Sequence, residues 1–174
     1  MRTRIIILML ICLTSSLSIL AQDQIAFMGV PIEGPFEDFC DKLVAKKNLI
    51  PSYKEVSYEG LMTKSYIGDF WKFTDCEINI RRIVGIPNVS SVAVNTRPGQ
   101  KFLAKELVNK YDELYGPHKI EDNVLSFEFT WTLPTGNIVV SYWKKYVDYL
   151  IIIYSNNEAI EHVKMKTRNV DDDL

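Results

Sequence analysis

Phe36, Phe39, Cys40, Leu43 and Val44 recur at i, i+3, i+4, i+7 and i+8, the spacing of one helical face. Gly34-Pro35 precedes the stripe, and proline's fixed φ suits an early helical position. Asp38 and Asp41 stand ahead of Lys46 and Lys47, the order the helix dipole favours, and Asn48 and Pro51 close the segment. A helix with one apolar stripe must bury it against another layer. The next residues supply that layer. Segments 51–58 and 63–73 are rich in aromatic and β-branched residues, and Thr74-Asp75 reads as a turn. Cys76, Ile78 and Ile80 then alternate with Glu77, Asn79 and Arg81. After a turn at 85–88, Val92 and Val94 alternate with Ser91, Ala93 and Asn95.

The same order follows again. Pro98-Gly99 opens a second helix that runs to about Tyr115, with Leu103, Leu107, Lys110 or Tyr111, and Leu114 on its inner side. Gly116-Pro117 stops it. Phe127, Phe129, Trp131 and Leu133 alternate with Glu128, Thr130 and Thr132, and a turn at 134–137 leads into strands over 138–143 and 147–154. The two helices align at an offset of 64 residues, which sets Leu43 over Leu107, Val44 over Val108 and Lys46 over Lys110. Short turns between strands make the pairing antiparallel. The expectation is an α+β fold of two tandem helix-plus-antiparallel-strand units (31–97 and 98–163), with both helices packed on one face of an antiparallel sheet. Beyond Ser155 the chain is polar, with one helical turn expected over 158–163 and a frayed acidic tail at 164–174.

Residues 1–21 have the layout of a secretory signal peptide. Arg2 and Arg4 form a basic n-region, 5–13 is an unbroken apolar run, and a small-residue stretch ends at Ala21. The run is too short for a membrane span, and Cys12 lies inside it rather than after a small residue, which excludes a lipoprotein signal. Cleavage there predicts a single domain over 22–174, exported to the periplasm or secreted, with no membrane span. Its 18 basic and 22 acidic residues give a net charge of −4, with no basic footprint for nucleic acid or anionic membrane. An oxidising compartment permits a disulfide between Cys40 and Cys76, although two buried free thiols suit their apolar positions equally.

Few residues point to chemistry. His118 and His162 are the only histidines, one just past a helix C-terminus and one in the polar tail. Neither has the spacing of a metal site. Gly-x-Ser-x-Gly and phosphate-loop patterns are absent, and Cys40 falls on a buried stripe rather than in an accessible, electropositive setting. No catalytic residue, metal or cofactor is therefore expected. Asn88-Val89-Ser90 fits a glycosylation sequon, a pattern common by chance. The functional pull is aromatic. Tyr142, Trp143, Tyr146, Tyr149 and Tyr154 crowd one hairpin, and Tyr53, Tyr58, Tyr66, Phe70 and Trp71 another. Strand alternation turns half of each set outward, where Trp and Tyr suit contact with a protein or glycan partner. Trp143, Tyr146, Trp71 and Tyr142 are the candidate binding residues of a non-catalytic interaction module. The alternatives are a small hydrolase around His118, Glu121 and Asp122, or a structural or chaperone-like envelope subunit.

The segment Phe27-Met28-Gly29-Val30-Pro31-Ile32-Glu33-Gly34 resembles the opening of a family of uncharacterised exported bacterial proteins, whose mature chains start with a similar F-M-G-I-P-I-D-G leading into a helix. The likeness continues at Lys110-Tyr111, Tyr115-Gly116-Pro117, Gly136-Asn137-Ile138, Ile153-Tyr154-Ser155-Asn156 and the Asp172-Asp173-Leu174 end. It departs around 66–73. The resemblance implies no activity, catalytic residue or cofactor. In outline it is similar to helix-plus-sheet repeats such as the β-lactamase-inhibitor proteins, which implies partner binding on a sheet face.

Overall fold

The computed structural model describes residues 24–58, 60–143 and 148–171. The expected leader at 1–21, Tyr146 and the last three residues lie outside them. The chain opens with a small hairpin, β1 (Ala26–Phe27) and β2 (Val30–Pro31), followed by helix α1 (Phe36–Lys47). Strands β3 (Ile50–Tyr58), β4 (Leu61–Phe70), β5 (Phe73–Ile83) and β6 (Ser91–Asn95) come next. A 3-10 turn at Lys101–Leu103 leads into α2 (Ala104–Tyr115), then β7 (Lys119–Asp122), β8 (Ser126–Leu133), β9 (Gly136–Trp143), β10 (Leu150–Asn156) and α3 (Asn157–Asp171).

The fold is α+β, built on an eight-stranded sheet in the order β3-β4-β5-β6-β10-β9-β8-β7, antiparallel at each pairing. Each of α1 and α2 precedes four strands that meander outward-to-centre, and the two meanders meet where β10 pairs with β6. Strand register divides the side chains cleanly. Ile152 lies between Val94 and Val140, Tyr154 between Val92 and Ile138, and Ile78 and Ile80 continue the same two rows. All of these are buried, and they form the core face.

Helix α1 presses Phe36, Phe39, Cys40 and Leu43 into that core, as its stripe predicts, and ends at Asn48 in the left-handed conformation. Helix α2 buries Leu107, Val108 and Tyr111. Leu114, expected inside, is 38 % exposed. The buried arc of α2 runs through Ala104, Val108, Tyr111 and Tyr115, which leaves Leu114 at its margin. The opening F-M-G-V-P-I segment is a plug. Met28 and Gly29 take positive φ at the tip of the β1–β2 turn, while Ile25, Phe27, Val30 and Ile32 are buried. Phe27 stacks on Phe70 at 5.4 Å between ring centroids and meets Tyr154 edge-on at 5.3 Å.

Three local expectations change. The β4–β5 turn falls at Trp71-Lys72, and Thr74 and Asp75 belong to β5. Trp71 holds φ +53°, which no propensity signal announces for a bulky residue. A register shift between Gly68 and Phe70 accompanies it, and the Asp69 carboxylate accepts the Asp75 N–H at 3.0 Å beside the shift. Strand β7, unforeseen, is a short edge strand exposed along its length, and its Lys119, Glu121 and Asp122 guard the sheet edge with charge. The frayed tail expected at 164–174 is helical as far as Asp171, as part of α3.

Candidate functional site

The core face of the sheet is occupied by α1, α2 and the N-terminal hairpin, so a binding surface must lie elsewhere. Register places Ile151, Ile153 and Ser155 of β10 on the opposite face. Across the sheet from Ser155 run Ser91, Arg81 and Thr63 on one side and Asn137 and Thr132 on the other, a polar row. Beside it runs a smaller, more apolar row, with Ala93, Ile153 and Val139 at its centre.

Helix α3 turns back over this face. Asn156 ends β10, and its Oδ1 accepts the Ala159 N–H at 3.0 Å, the N-cap geometry that starts the helix. Its Nδ2 donates to the Val89 carbonyl at 2.8 Å, which ties the helix start to the approach to β6. Between α3 and the sheet lies a groove of about 540 Å³. Val139 and Ile153 from the sheet and Ile160 from the helix line one part of it, and Leu61 and Ile83 another. Arg81, Ser91, Ser155, Asn137 and His162 bring polar groups to the same space.

Arg81 stands out. Its carbonyl accepts the Ser90 N–H at 2.9 Å and the Ser90 hydroxyl at 3.0 Å, which fixes the backbone. Its guanidinium makes no hydrogen bond or ion pair with the described residues. Burial lowers its pKa from the ordinary value, and the charge of Glu77 opposes this in part. A guanidinium stays protonated regardless, so the groove holds a partly desolvated, unpaired positive charge. His162, expected in a solvated tail, is half-buried against the groove.

The aromatic candidates are not brought together. Trp143 is half-buried, on the same face as Ile151 and opposite Ser126, and its carbonyl accepts a bond from Lys101 Nζ at 2.6 Å. Tyr142 points to the core face, tilted on Phe127, with Lys101 Nζ 4.5 Å from its ring centroid. It lines a smaller recess of about 340 Å³ with Phe129 and Val108 beside Phe102, which is 77 % exposed. Trp71, 39 % exposed, sits at the β4–β5 turn, tilted on Phe73 at 5.6 Å, with β6 and β10 between its hairpin and β9.

His118 serves α2. Its Nδ1 lies 2.8 Å from Asp112 Oδ1, and its ring packs against Phe129 and Trp131 at 5.1 and 5.4 Å. Trp131 Nε1–H donates to the same Asp112 oxygen and to the Gly116 carbonyl, both at 3.1 Å. Desolvation raises the Asp112 carboxyl, but these hydrogen bonds and the nearby His118 outweigh it and hold the pKa below its ordinary value. Glu121, proposed beside His118 in the hydrolase alternative, pairs with Lys119 at 2.9 Å. Among the described residues no group of three His, Cys, Asp or Glu is placed to hold a metal ion.

The disulfide alternative for Cys40 and Cys76 is not realised. Both are free and buried, one on α1 beside Tyr66 and one on β5 with its sulfur 4.0 Å from the Thr74 carbonyl. Burial pushes each thiol up to about 11. No helix among the described residues is long and apolar enough to cross a membrane. Compared with protein families, curated proteins and solved structures, the chain finds no match.

Proposed function

We propose that the chain is an exported, non-catalytic binding module that takes its ligand on the sheet face opposite α1 and α2. The observation that carries this reading is the Arg81 guanidinium in the groove beneath α3, which has no hydrogen-bond or ion-pair partner among the described residues. A half-buried cation without a close partner costs free energy, and a bound anion lowers that cost. The volume of the groove falls within the usual range of small-molecule sites. Export rests on the basic, apolar and small-residue layout of 1–21. Two tandem units are supported by the repeated order of one helix and four strands, and by the meeting of β6 and β10 at the middle of the sheet.

The test uses an anionic, environment-sensitive dye, anilinonaphthalene sulfonate, with the folded protein. The expected result is saturable fluorescence at one site per chain, abolished by Val139→Trp, which fills the groove, at unchanged melting temperature. No saturable binding, or binding that Val139→Trp leaves intact, overturns the reading. A second contact is favoured by exposed Phe102 beside the Tyr142 recess, where a protein or glycan partner would find an aromatic surface with Lys101 and Lys105 at hand.

A further inference from the structure

We infer that the groove beneath α3 accepts a single-chain alkyl carboxylate, with the head on Arg81 and the chain against Val139, Ile153 and Ile160. This deepens the binding reading above and rests on it. Three features of the groove select the ligand class.

The first is charge. Arg81 is the cation that the sheet contributes to the groove, and Lys164, the lysine on the helix side, has its Nζ 2.7 Å from Glu161 Oε1. Glu77, the acid nearest in effect to Arg81, accepts a long hydrogen bond from Asn95 Nδ2 at 3.4 Å and makes no ion pair with the guanidinium. Among the described groove residues Arg81 is the one arginine or lysine outside an ion pair, which suits a monoanion rather than a phosphate dianion. A guanidinium fork also matches a carboxylate in two parallel bonds.

The second is the wall. Val139, Ile153 and Ile160 are aliphatic, and no Phe, Tyr or Trp lines the groove among the described residues. Sugars favour aromatic platforms, so a glycan finds nothing to stack on here. An alkyl chain needs only apolar area removed from water, and it gains about 0.8 kcal/mol per buried methylene.

The third is placement. The polar row through Ser91, Arg81 and Ser155 lies next to the row of Ala93, Ile153 and Val139, two residues along each shared strand. Head and chain of an amphiphile therefore meet matching surfaces at once. Ser91 adjoins Arg81 in its own row and Ser155 lies one strand further on, so both bring hydroxyls to the side of the groove where a second carboxylate oxygen would lie.

Calorimetry with dodecanoate and its uncharged counterpart dodecanol, both below micellar concentration, tests the assignment on the folded chain. Dodecanoate is expected to bind wild type at least about tenfold more tightly than dodecanol, the increment of a charge-assisted hydrogen bond. Arg81→Gln should bring the two ligands to equal affinity, and Arg81→Lys should restore part of the difference. Equal affinity of the two ligands for wild type overturns the carboxylate assignment, even if Arg81→Gln fails to fold. The dye result above would then still stand, so failure here is separable from failure of the binding reading. An acetylated leucyl-leucine acid presents the same head on a peptide backbone. It should bind more weakly than dodecanoate, and tighter binding would replace the alkyl chain by a peptide C-terminus.

Discussion

Gly136 opens β9 directly opposite Asn156 of β10 and Leu133 of β8. A Cβ added there would stand 2.1 Å from the Ser155 carbonyl oxygen and 2.9 Å from Asn156 Cα. Both obstacles are backbone of a central strand, and the α3 cap follows at once, so neither can swing aside. Gly136→Ala must push β9 from β10 and lose ladder bonds at their ends. Overpacking costs about 1–3 kcal/mol, and a lost backbone hydrogen bond adds roughly 1 kcal/mol. The stiffer unfolded chain returns about 0.4–1 kcal/mol. The net loss is about 1–3.5 kcal/mol, or roughly 2–14 °C in melting temperature at this chain length. Gly68→Ala is the matched control. Its Cβ meets Leu49 Cδ2 at 2.4 Å, the end of a side chain. A rotamer shift of Leu49 costs about 0.5–1.5 kcal/mol and is largely offset by the unfolded-state gain. Differential scanning calorimetry of both variants decides the matter. A Gly136→Ala protein that melts with wild type, or below which Gly68→Ala falls, would refute the argument from backbone contact.

Further outcomes follow from the polar groups in and around the core. The Asp112 carboxyl sits below its ordinary 3.8, so its stabilisation is complete above that pH and fades as pH falls through the lower folded value. Asp112→Asn should therefore lose less melting temperature than wild type between pH 5 and pH 2.5, and a parallel decline would contradict the His118 and Trp131 assignment. Tyr111 and Tyr154 share a buried hydroxyl–hydroxyl hydrogen bond. Tyr154→Phe alone should cost about 1–3 kcal/mol in urea denaturation, and the double Phe variant little more, since no hydroxyl is then left without a partner. The buried thiols of Cys40 and Cys76, raised to about 11, should not react with a disulfide reagent at pH 8 in the folded protein. After denaturation without reductant the chain from Gln22 onward should show two thiols; none would mean a bridge.

Helix α1 was legible because five apolar residues at helical spacing leave one solution, and the strands around Ile78, Val92 and Phe129 because alternation sorts their two faces. The β4–β5 turn was not legible, because Trp71 at positive φ is held by the surrounding hairpin and not by its own preference. Of helix α3 only one turn was legible because its sequence is polar overall; Ile160 gains its place only once the sheet face is there to meet it. Arg81 did carry a signal. It falls on the outward beat of the Cys76, Ile78, Ile80 alternation, with Glu77 and Asn79. What periodicity could not supply was the helix overhead, which turns an outward arginine into a half-buried one. Aromatic crowding alone could not sort core from surface: of those rings Tyr66, Phe70 and Tyr154 are core, while Trp71 is exposed at a turn.

The junction of β6 with β10 also governs how the molecule comes together in time. Every other pairing in the large sheet joins strands consecutive in the chain, so each can zip as its hairpin closes. The junction must wait until Ser91 finds Ser155 across an intervening helix and three strands. Contacts made that late are absent from much of the transition state, so weakening them, as in Val94→Ala, should quicken unfolding and leave refolding nearly unchanged. A chevron plot reads this directly, and a slowed refolding arm would place the junction early instead. The groove lies across this junction, with Arg81 and Ser91 reaching it from one side and Ile153 and Val139 from the other. The proposed ligand surface thus exists only once that junction has closed, and an occupant would hold the seam shut.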